Sequence, residues 1–240
     1  MDTLLNILQD QPSWLLWLLF GAENAAILLA VLVWGNHLQR KYSPPQTVTR
    51  SHPFAYNARQ WRIASLTTIL NTAITYAGYR LWTQGAIRIT TTFDIRIIAD
   101  ALFLFFAMDL LMYLFHFLIH KTPLYRWLHA LHHEAIDPEP IDLFVLHPVE
   151  TLCFGALWLC LLLWFPLNMY GILLYLVINV VFGMTGHLSI APLPEKVQQW
   201  PVWKYLGTSS FHHAHLRNEQ CNFGFYTSIW DRVFRTFNRQ

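Results

Sequence analysis

The sequence predicts an all-α protein, a multi-span membrane helical bundle with a histidine-rich cap on its cytoplasmic side. Three observations carry that expectation. Hydrophobic residues make up 55% of the 240-residue chain and charged residues 12%, against roughly 25% charged in an average soluble domain, so much of the surface faces something other than water. Several apolar runs approach the about 20 residues that a helix needs to cross a bilayer. Ten of the twelve histidines fall between residues 116 and 215, many at spacings that a helix places on one face.

The length suits a single domain. It reads as one integrated unit, with spans and a basic loop over residues 1–96 and the histidine-bearing region over 97–240. Trp14 to Trp34 is the clearest span, interrupted at Glu23 and Asn24, a pair costly in hydrocarbon and so expected to face the bundle. Ile63 to Trp82 is rich in Thr and broken by Asn71. Ile97 to Ile119 is strong despite Asp100 and Asp109. Leu152 to Phe165 and Leu167 to Thr185 flank Pro166, which disfavours helix at the residue before it. The first of these is short, and the two read as a helical hairpin that need not fully emerge from the bilayer. Trp14, Trp34, Trp61, Trp82 and Trp164 lie near span ends, at the headgroup level that amphipathic rings prefer. The start Met1-Asp2-Thr3 lacks a basic n-region, so the first run reads as a retained span.

Basic residues orient these spans. No Lys or Arg precedes residue 14, whereas Arg40, Lys41, Arg50, Arg59 and Arg62 follow the first span. The tail carries Lys196, Lys204, Arg217, Arg232, Arg235 and Arg239. Positive-inside logic places the N-terminus outside, and the long loop, the 120–150 region and the tail in the cytoplasm. This holds only if the 152–185 pair returns to the side it left, and every histidine group then shares one face. A net charge of +2, with no basic run interleaved with aromatics, speaks against nucleic acid as a partner. Cys153, Cys160 and Cys221 form neither a disulfide framework nor a cysteine zinc site, which fits a reducing compartment.

His116 and His120 stand at i and i+4 at the end of the third span. His129, His132 and His133 follow at i, i+3 and i+4, then His187 after the hairpin, then His212, His213 and His215 in the tail. Neutral imidazole suits iron, zinc, copper or nickel. A lone histidine on an apolar face is more often a satisfied core residue, but here that explanation would have to cover eight or nine residues at ligand spacing. They exceed what one ion can use and suit a pair. A metal transporter would also place histidines among spans, though nearer the bilayer midplane than these boxes stand.

In order, the chain reads Asp109-x3-Tyr113-x2-His116-x3-His120, then His129-x2-His132-His133, then a terminal histidine box. Asn222-Phe223-Gly224 and Trp230-Asp231-Arg232-Val233-Phe234 follow. Over about residues 97 to 237 this series resembles the fatty acid hydroxylase (sterol desaturase) superfamily. The resemblance implies an oxidoreductase of lipid metabolism with a cytoplasm-facing di-iron centre, zinc being a possible occupant of the isolated protein, and with dioxygen as co-substrate. It implies hydroxylation, desaturation or demethylation of a sterol, fatty acyl chain or related lipid, with electrons from an external donor of reductase, ferredoxin or cytochrome type. Its metal ligands carry over as His116, His120, His129, His132, His133, His187, His212 and His215. The family's third box reads His-x2-His-His, which would require histidine where this chain has Leu216. His213 is expected to substitute, although adjacent helical side chains diverge by about 100°, so an irregular turn would be needed. A degenerate, non-catalytic member is the alternative that Leu216 supports. The closing Phe234-Arg235-Thr236 also departs from the family, which commonly has glycine at the middle position.

Four further residues are candidates to support the ligand rings. Asp109 stands two turns before His116 and either orients an imidazole or bonds a neighbouring helix. Tyr113 shares the first motif, and His147 in His147-Pro148-Val149-Glu150 is a structural or supporting residue. Asp231 is expected to fix the tail through Arg232 or a backbone amide. Glu134, Asp137, Glu139 and Asp142 read mainly as a solvated loop, and His37 and His52 have no assigned role. Imidazoles alone do not cleave an unactivated C–H bond, so the hard chemistry belongs to the metal and dioxygen. The chain has no dinucleotide fingerprint, no cysteine set for an iron–sulfur cluster and no recognisable haem domain, which is why electrons must come from outside.

Overall fold

The structure, a computed structural model, describes residues 7–42, 54–190, 200 and 202–238. Met1 to Thr3, Arg50, Lys196 and Arg239, used above for topology, and His52 lie outside those residues. Among the described residues seven helices carry the fold: α1 (Ser13–Tyr42), α2 (Ala58–Thr83), α3 (Arg96–His120), α4 (Pro148–Trp164), α5 (Met169–Gly186), α6 (Ser209–Arg217) and α7 (Ile229–Val233). The strands among the described residues, β1 (Ile89–Thr90) and β2 (Leu167–Asn168), form one short parallel pair. The all-α expectation therefore holds.

Among the described residues three helices, α1, α3 and α5, are long and apolar enough to cross a membrane, whereas α2, expected as a span over Ile63 to Trp82, and α4 are helical but fall short of that. α1 has 30 residues and so runs about 45 Å, longer than the roughly 30 Å of hydrocarbon. It ends on Arg40 and Lys41, cations placed where the helix dipole favours them. α2 starts on a capping box in which the Asn57 side chain accepts from the Gln60 amide and the Gln60 side chain from the Asn57 amide. The Gln60 amide group also donates to Asp142 at 3.0 Å, tying this helix start to the turn at Pro140–Phe144. Leu18, Leu29, Ile69, Leu102 and Val177 are exposed, as expected of lipid-facing surface. Trp14 and Trp164 are exposed at helix ends and Trp34 is exposed two turns inside the end of α1, whereas Trp61 and Trp82 pack on Tyr56 and Tyr79.

The helices after residue 147 do not pair mainly with each other. α4 packs on α2 and α5 on α3. Gly155 allows the α2–α4 approach, because a Cβ there would collide with the Ile74 side chain. The turn between α4 and α5 reaches the start of α3. The Asn168 amide donates to Asp100 at 2.6 Å, its side chain donates to the Thr92 carbonyl at 2.5 Å, and its Oδ1 caps α5. Asp100, an acid in an apolar span, is thereby matched to backbone polar groups that the Pro166 turn leaves free. The turn between α4 and α5 lies beside the start of α3, so the end of α3, the start of α4 and the end of α5 share one face. Leu104, Met108, Leu162, Ile172, Tyr175 and Tyr226 form the main core.

Tyr226 comes from the tail. Asp109 accepts from the Tyr226 amide (2.8 Å), the Thr227 amide (3.0 Å) and the Thr227 hydroxyl (2.5 Å), and the Tyr226 hydroxyl bonds Tyr175 (2.8 Å) and Asn179 (2.6 Å). Asp109 stands eleven residues before His120, about 16 Å along the helix, so the tail dips well into the bundle instead of lying wholly on its surface.

The folded return sets an expectation for topology. Single cysteines placed at Lys121, Asp137 and Asn218 in a cysteine-free background should react with an impermeant maleimide from the same side of sealed vesicles. Opposite sides for Lys121 and Asn218 would contradict the shared face.

Candidate metal centre

Local structure brings the histidines together. The last turn of α3 sets His116 and His120 on one face. A wide π-helical turn, Tyr125–His129, then swings His129 back beneath them, and a 3-10 turn carries His132 and His133. His187 caps the end of α5. α6 begins at Thr208, whose hydroxyl accepts from the Phe211 amide, and presents His212 and His215 one turn apart. Ring nitrogens of His116, His120, His129, His133 and His215 all lie within 4.8 Å of one another, and the same holds for His132, His187 and His212. The groups adjoin, with the His129 and His132 rings 5.2 Å apart.

Hydrogen bonds behind the rings decide what the inner nitrogens can be. His116 Nδ1 is 2.8 Å from the Phe223 carbonyl and His215 Nδ1 is 2.7 Å from the Cys221 carbonyl. A carbonyl only accepts, so both Nδ1 atoms carry the proton and both Nε2 atoms present lone pairs. His187 Nδ1 is held likewise by the Gly183 carbonyl at 2.8 Å, and His129 Nδ1 by Glu150 Oε1 at 2.6 Å. His116 Nε2 then faces His129 Nε2 at 2.9 Å and His120 Nε2 at 3.1 Å, while His215 Nε2 faces His133 Nε2 at 3.2 Å. Where both nitrogens carry lone pairs, as in the His116–His129 contact, they repel unless a cation lies between them. His120 and His133 meet their neighbours either by donating an Nε2 proton or by sharing a cation. Protonation is opposed: burial first, and the neighbouring imidazoles second, hold His129, His132, His212 and His215 far below the ordinary histidine range. Burial lowers His133 to about 4. In the smaller group, His132 Nδ1, His187 Nε2 and His212 Nε2 are buried without a hydrogen-bond partner among the described residues. Neutral, converging, unpartnered nitrogens fit metal ions, which bind imidazole at about 2.1 Å.

Glu150 has no counterpart in the sequence reading. It is buried, and its only signal was a carboxylate in the first turn of an otherwise apolar helix. Glu219, also unforeseen, takes the Tyr125 hydroxyl bond and lies 3.8 Å from His133 Nδ1. Asp109 orients no imidazole and joins no second span, since its oxygens hold the tail. The Tyr113 hydroxyl lies 3.0 Å from that of Thr236, and His147 caps α4 by accepting from the Val149 amide. Asp231 does fix the tail through backbone amides, accepting from Phe223 and Gly224, each at 2.8 Å, and from the Thr236 hydroxyl at 2.6 Å. Arg232 turns away to the Lys204 carbonyl. A relay results, in which Asp231 fixes the Phe223 peptide and the Phe223 carbonyl fixes His116.

Residues 101–236, more than half of the chain, match the family model described as fatty acid hydroxylase. This chain belongs to the fatty acid hydroxylase family. Similar curated proteins include methylsterol monooxygenase 1 of Gallus gallus, 26% identical over 52% of this chain and 41% of the relative. Lathosterol oxidase of Rattus norvegicus is 29% identical over 56% and 43%, and a Delta(7)-sterol 5(6)-desaturase of Leptosphaeria maculans is 23% identical over 55% and 35%. The matches thus span less than half the length of these relatives. No solved structure matches the chain significantly.

Two departures from the family pattern now have a physical reading. α6 is a regular helix through His212 and His213, so the irregular turn needed to bring both rings inward is absent. His213 stands outside both groups, bonded to the Leu188 backbone and near Arg217 and Asp137, and the smaller group has three imidazoles. Arg235, where glycine is common in the family, has φ 61°. That left-handed conformation costs a residue with a Cβ roughly 1–2 kcal/mol.

Arg235→Gly should therefore raise the melting temperature, reflecting about 1 kcal/mol of relieved strain; an unchanged or lower melting temperature would show that the turn is not strained. A pH dependence also follows. Below pH about 6.5 an unfolded chain takes up protons that the buried imidazoles refuse, and His133 accepts its own only near pH 4. Stability of metal-stripped protein should be complete above pH 6.5 and fall as pH drops towards 4, because the unfolded state binds more protons across that window. Thermal melts in detergent from about pH 8 to about pH 4.5 check this, and a flat profile would contradict it.

Proposed function

We propose that the chain is a membrane lipid oxidoreductase whose histidines His116, His120, His129, His133 and His215 hold one metal ion and His132, His187 and His212 a second, iron in the working enzyme. The observation that carries this reading is the cavity into which the histidine groups open. It has a volume of about 850 Å³, and His132, His187 and His212 border it together with His116 and His129. From there it runs between helices past Met112, Phe154, Trp158 and Ile172, a wall suited to a lipid tail. α1 and α2 contribute walls as well, so residues 1–96 and 97–240 act as one unit. The oxidations named for the sterol-acting relatives support a lipid substrate.

Bound there, a pair of iron ions supplies the oxidising power towards C–H bonds when dioxygen and electrons are delivered. The chain's own residues set the conditions. Glu150 and the Gly183, Cys221 and Phe223 carbonyls hold four ligand rings in one tautomer and orientation. The bundle excludes water and lines up a hydrocarbon substrate beside the rings. With the histidine face in the cytoplasm, the electron donor docks from that side. All three residues of the smaller group border the cavity, against His116 and His129 of the five in the larger group, so the smaller group is the more open to a bound lipid.

Leu216 and the three-membered group favour a second reading, a non-catalytic member that keeps the fold. Protein reconstituted with ferrous iron under reducing conditions should carry close to two irons per chain and should consume oxygen when membrane lipid and a ferredoxin–reductase pair are added. A stoichiometry of one or less would sink the paired site, and two irons without oxygen uptake would favour the non-catalytic reading. His212→Ala should lose about one iron per chain. His213→Ala should retain both, since that ring reaches neither group, and comparable losses in the two variants would show that His213 is a ligand after all.

A further inference from the structure

We propose that the cavity is loaded sideways from the bilayer, through a cleft between α1 and α5 whose rim lies within the hydrocarbon. The molecule taken up is then one already dissolved in the membrane, not one delivered through the cytoplasm. This deepens the oxidoreductase reading and rests on it only for what befalls the lipid after entry.

The five long helices enclose the cavity as a ring, in the order α1, α2, α4, α3, α5 and back to α1. Four of the five seams are close-packed. Between α1 and α2, the Trp17 ring stacks on Tyr76 at 5.2 Å and Asn24 reaches Thr75. Between α2 and α4, Cβ atoms at Gly78 and Gly155 would press on Leu159 and Ile74. Phe154 of α4 meets Phe115 of α3 at 5.2 Å, and a Cβ at Gly171 on α5 would stand 2.9 Å from the Ile97 carbonyl of α3. The fifth seam differs. α1 and α5 are joined towards their cytoplasmic ends, where Val180 and Met184 pack on the cluster of Leu28, Val31 and Leu32. Among the described residues no hydrogen bond or ring contact links these two helices.

Exposure locates the opening. Every helix of the ring turns apolar side chains outward, Ile69 on α2, Leu102 and Leu118 on α3 and Leu152 on α4 among them, yet none of these four borders the cavity. Among the described residues of the ring, those both exposed and on the cavity wall are Glu23 and Ala30 on α1 and Leu173, Val177 and Val181 on α5. A side chain does both only where the wall is interrupted, so the interruption lies between those two helices. Its depth follows from the helix rise. Val177 precedes His187 by ten residues, about 15 Å. A Cβ at Gly35 would touch Leu188, and Glu23 precedes Gly35 by twelve residues, about 18 Å. The opening therefore stands well below the histidine face, at the level of acyl chains. Apart from Glu23 its rim is aliphatic. A hydrocarbon chain entering there stays in an apolar medium, whereas entry from the cytoplasm exposes its methylenes to water.

Time-resolved photolabelling in phosphatidylcholine proteoliposomes tests the proposal, with hexadecane bearing a terminal diazirine as the bilayer-borne probe. Flashes at increasing delays after addition should tag Met112 and Trp158 on the cavity wall as well as lipid-facing Leu102, each read by peptide mass spectrometry. Val177→Trp, which plugs the cleft, should slow tagging of the interior pair at least about tenfold and leave Leu102 unchanged. Ile69→Trp, the same bulk on an outward face that does not border the cavity, should alter neither. A plug installed after folding separates a blocked path from a misfolded variant: Val177→Cys in a cysteine-free background, reacted with pyrenylmaleimide once purified, should show the same loss. Absence of interior tagging in the wild type, an unchanged interior rate behind the pyrene plug, or an equal loss in Ile69→Trp would each overturn the cleft. Tagging needs neither metal nor turnover, so iron content measured on the same samples keeps the two readings apart. Iron loss with interior tagging intact bears on the metal centre alone, and lost tagging with iron retained bears on the cleft alone.

Discussion

The structure turns on a cluster of neutral imidazoles forced to face one another. Once the carbonyls of Phe223 and Cys221 take the Nδ1 protons of His116 and His215, the inner nitrogens have only lone pairs to present, at 2.7–2.8 Å outer bonds and 2.9–3.2 Å inner contacts. Burial makes protonation an expensive answer. Much of the remaining architecture can be understood as the framework that holds this unfavourable arrangement ready for a cation. The return of α4 and α5 to the face they left brings His187 into place, and the wide turn at Tyr125–His129 does the same for His129.

Holding it requires the tail as much as the spans. Asp109 and Asp231 look like ligand-supporting carboxylates, yet both spend their oxygens on backbone amides of residues 223–227. They act on the metal site through the peptide they fix. Gly224 belongs to the same device, because a Cβ there would meet the Thr227 carbonyl. Glu150 works more directly, with one oxygen on His129.

Helix periodicity and apolar run length made the spans legible, and i, i+3 and i+4 spacing made the histidine boxes legible before any geometry was known. Eight of the nine histidines singled out converge. His213 stands outside both groups because its inclusion needed an irregular turn, and nothing in Ser209–Arg217 breaks the helix: no proline, no glycine, and a capping Thr208 ahead of it. Glu150 and Glu219 were missed for a different reason. Each contacts the site across more than ten residues of intervening chain, and a single carboxylate has no periodicity by which to announce a long-range partner. The place of Asp109 was narrowed to two alternatives, neither of which included a tail packed into the bundle, since residues 222–227 are too few to show any periodicity. Arg235 was legible only as a departure, and its positive φ supplied the reason.

Contributions to the site from Asp231, Phe223 and His215 also order events in time. Chains are made from the N-terminus onward, so His116 to His133 leave the ribosome well before the residues that set their tautomers and complete their number. Until residues 187 to 231 are synthesised, the early boxes lack the imidazoles that complete the two groups and the carbonyl that orients His116. Assembly of the whole centre is thus a late event of biogenesis, following membrane insertion. Truncation after Arg217 removes the Phe223 and Cys221 carbonyls that hold His116 and His215 while leaving the first two boxes at the end of α3 and in the turns beyond it.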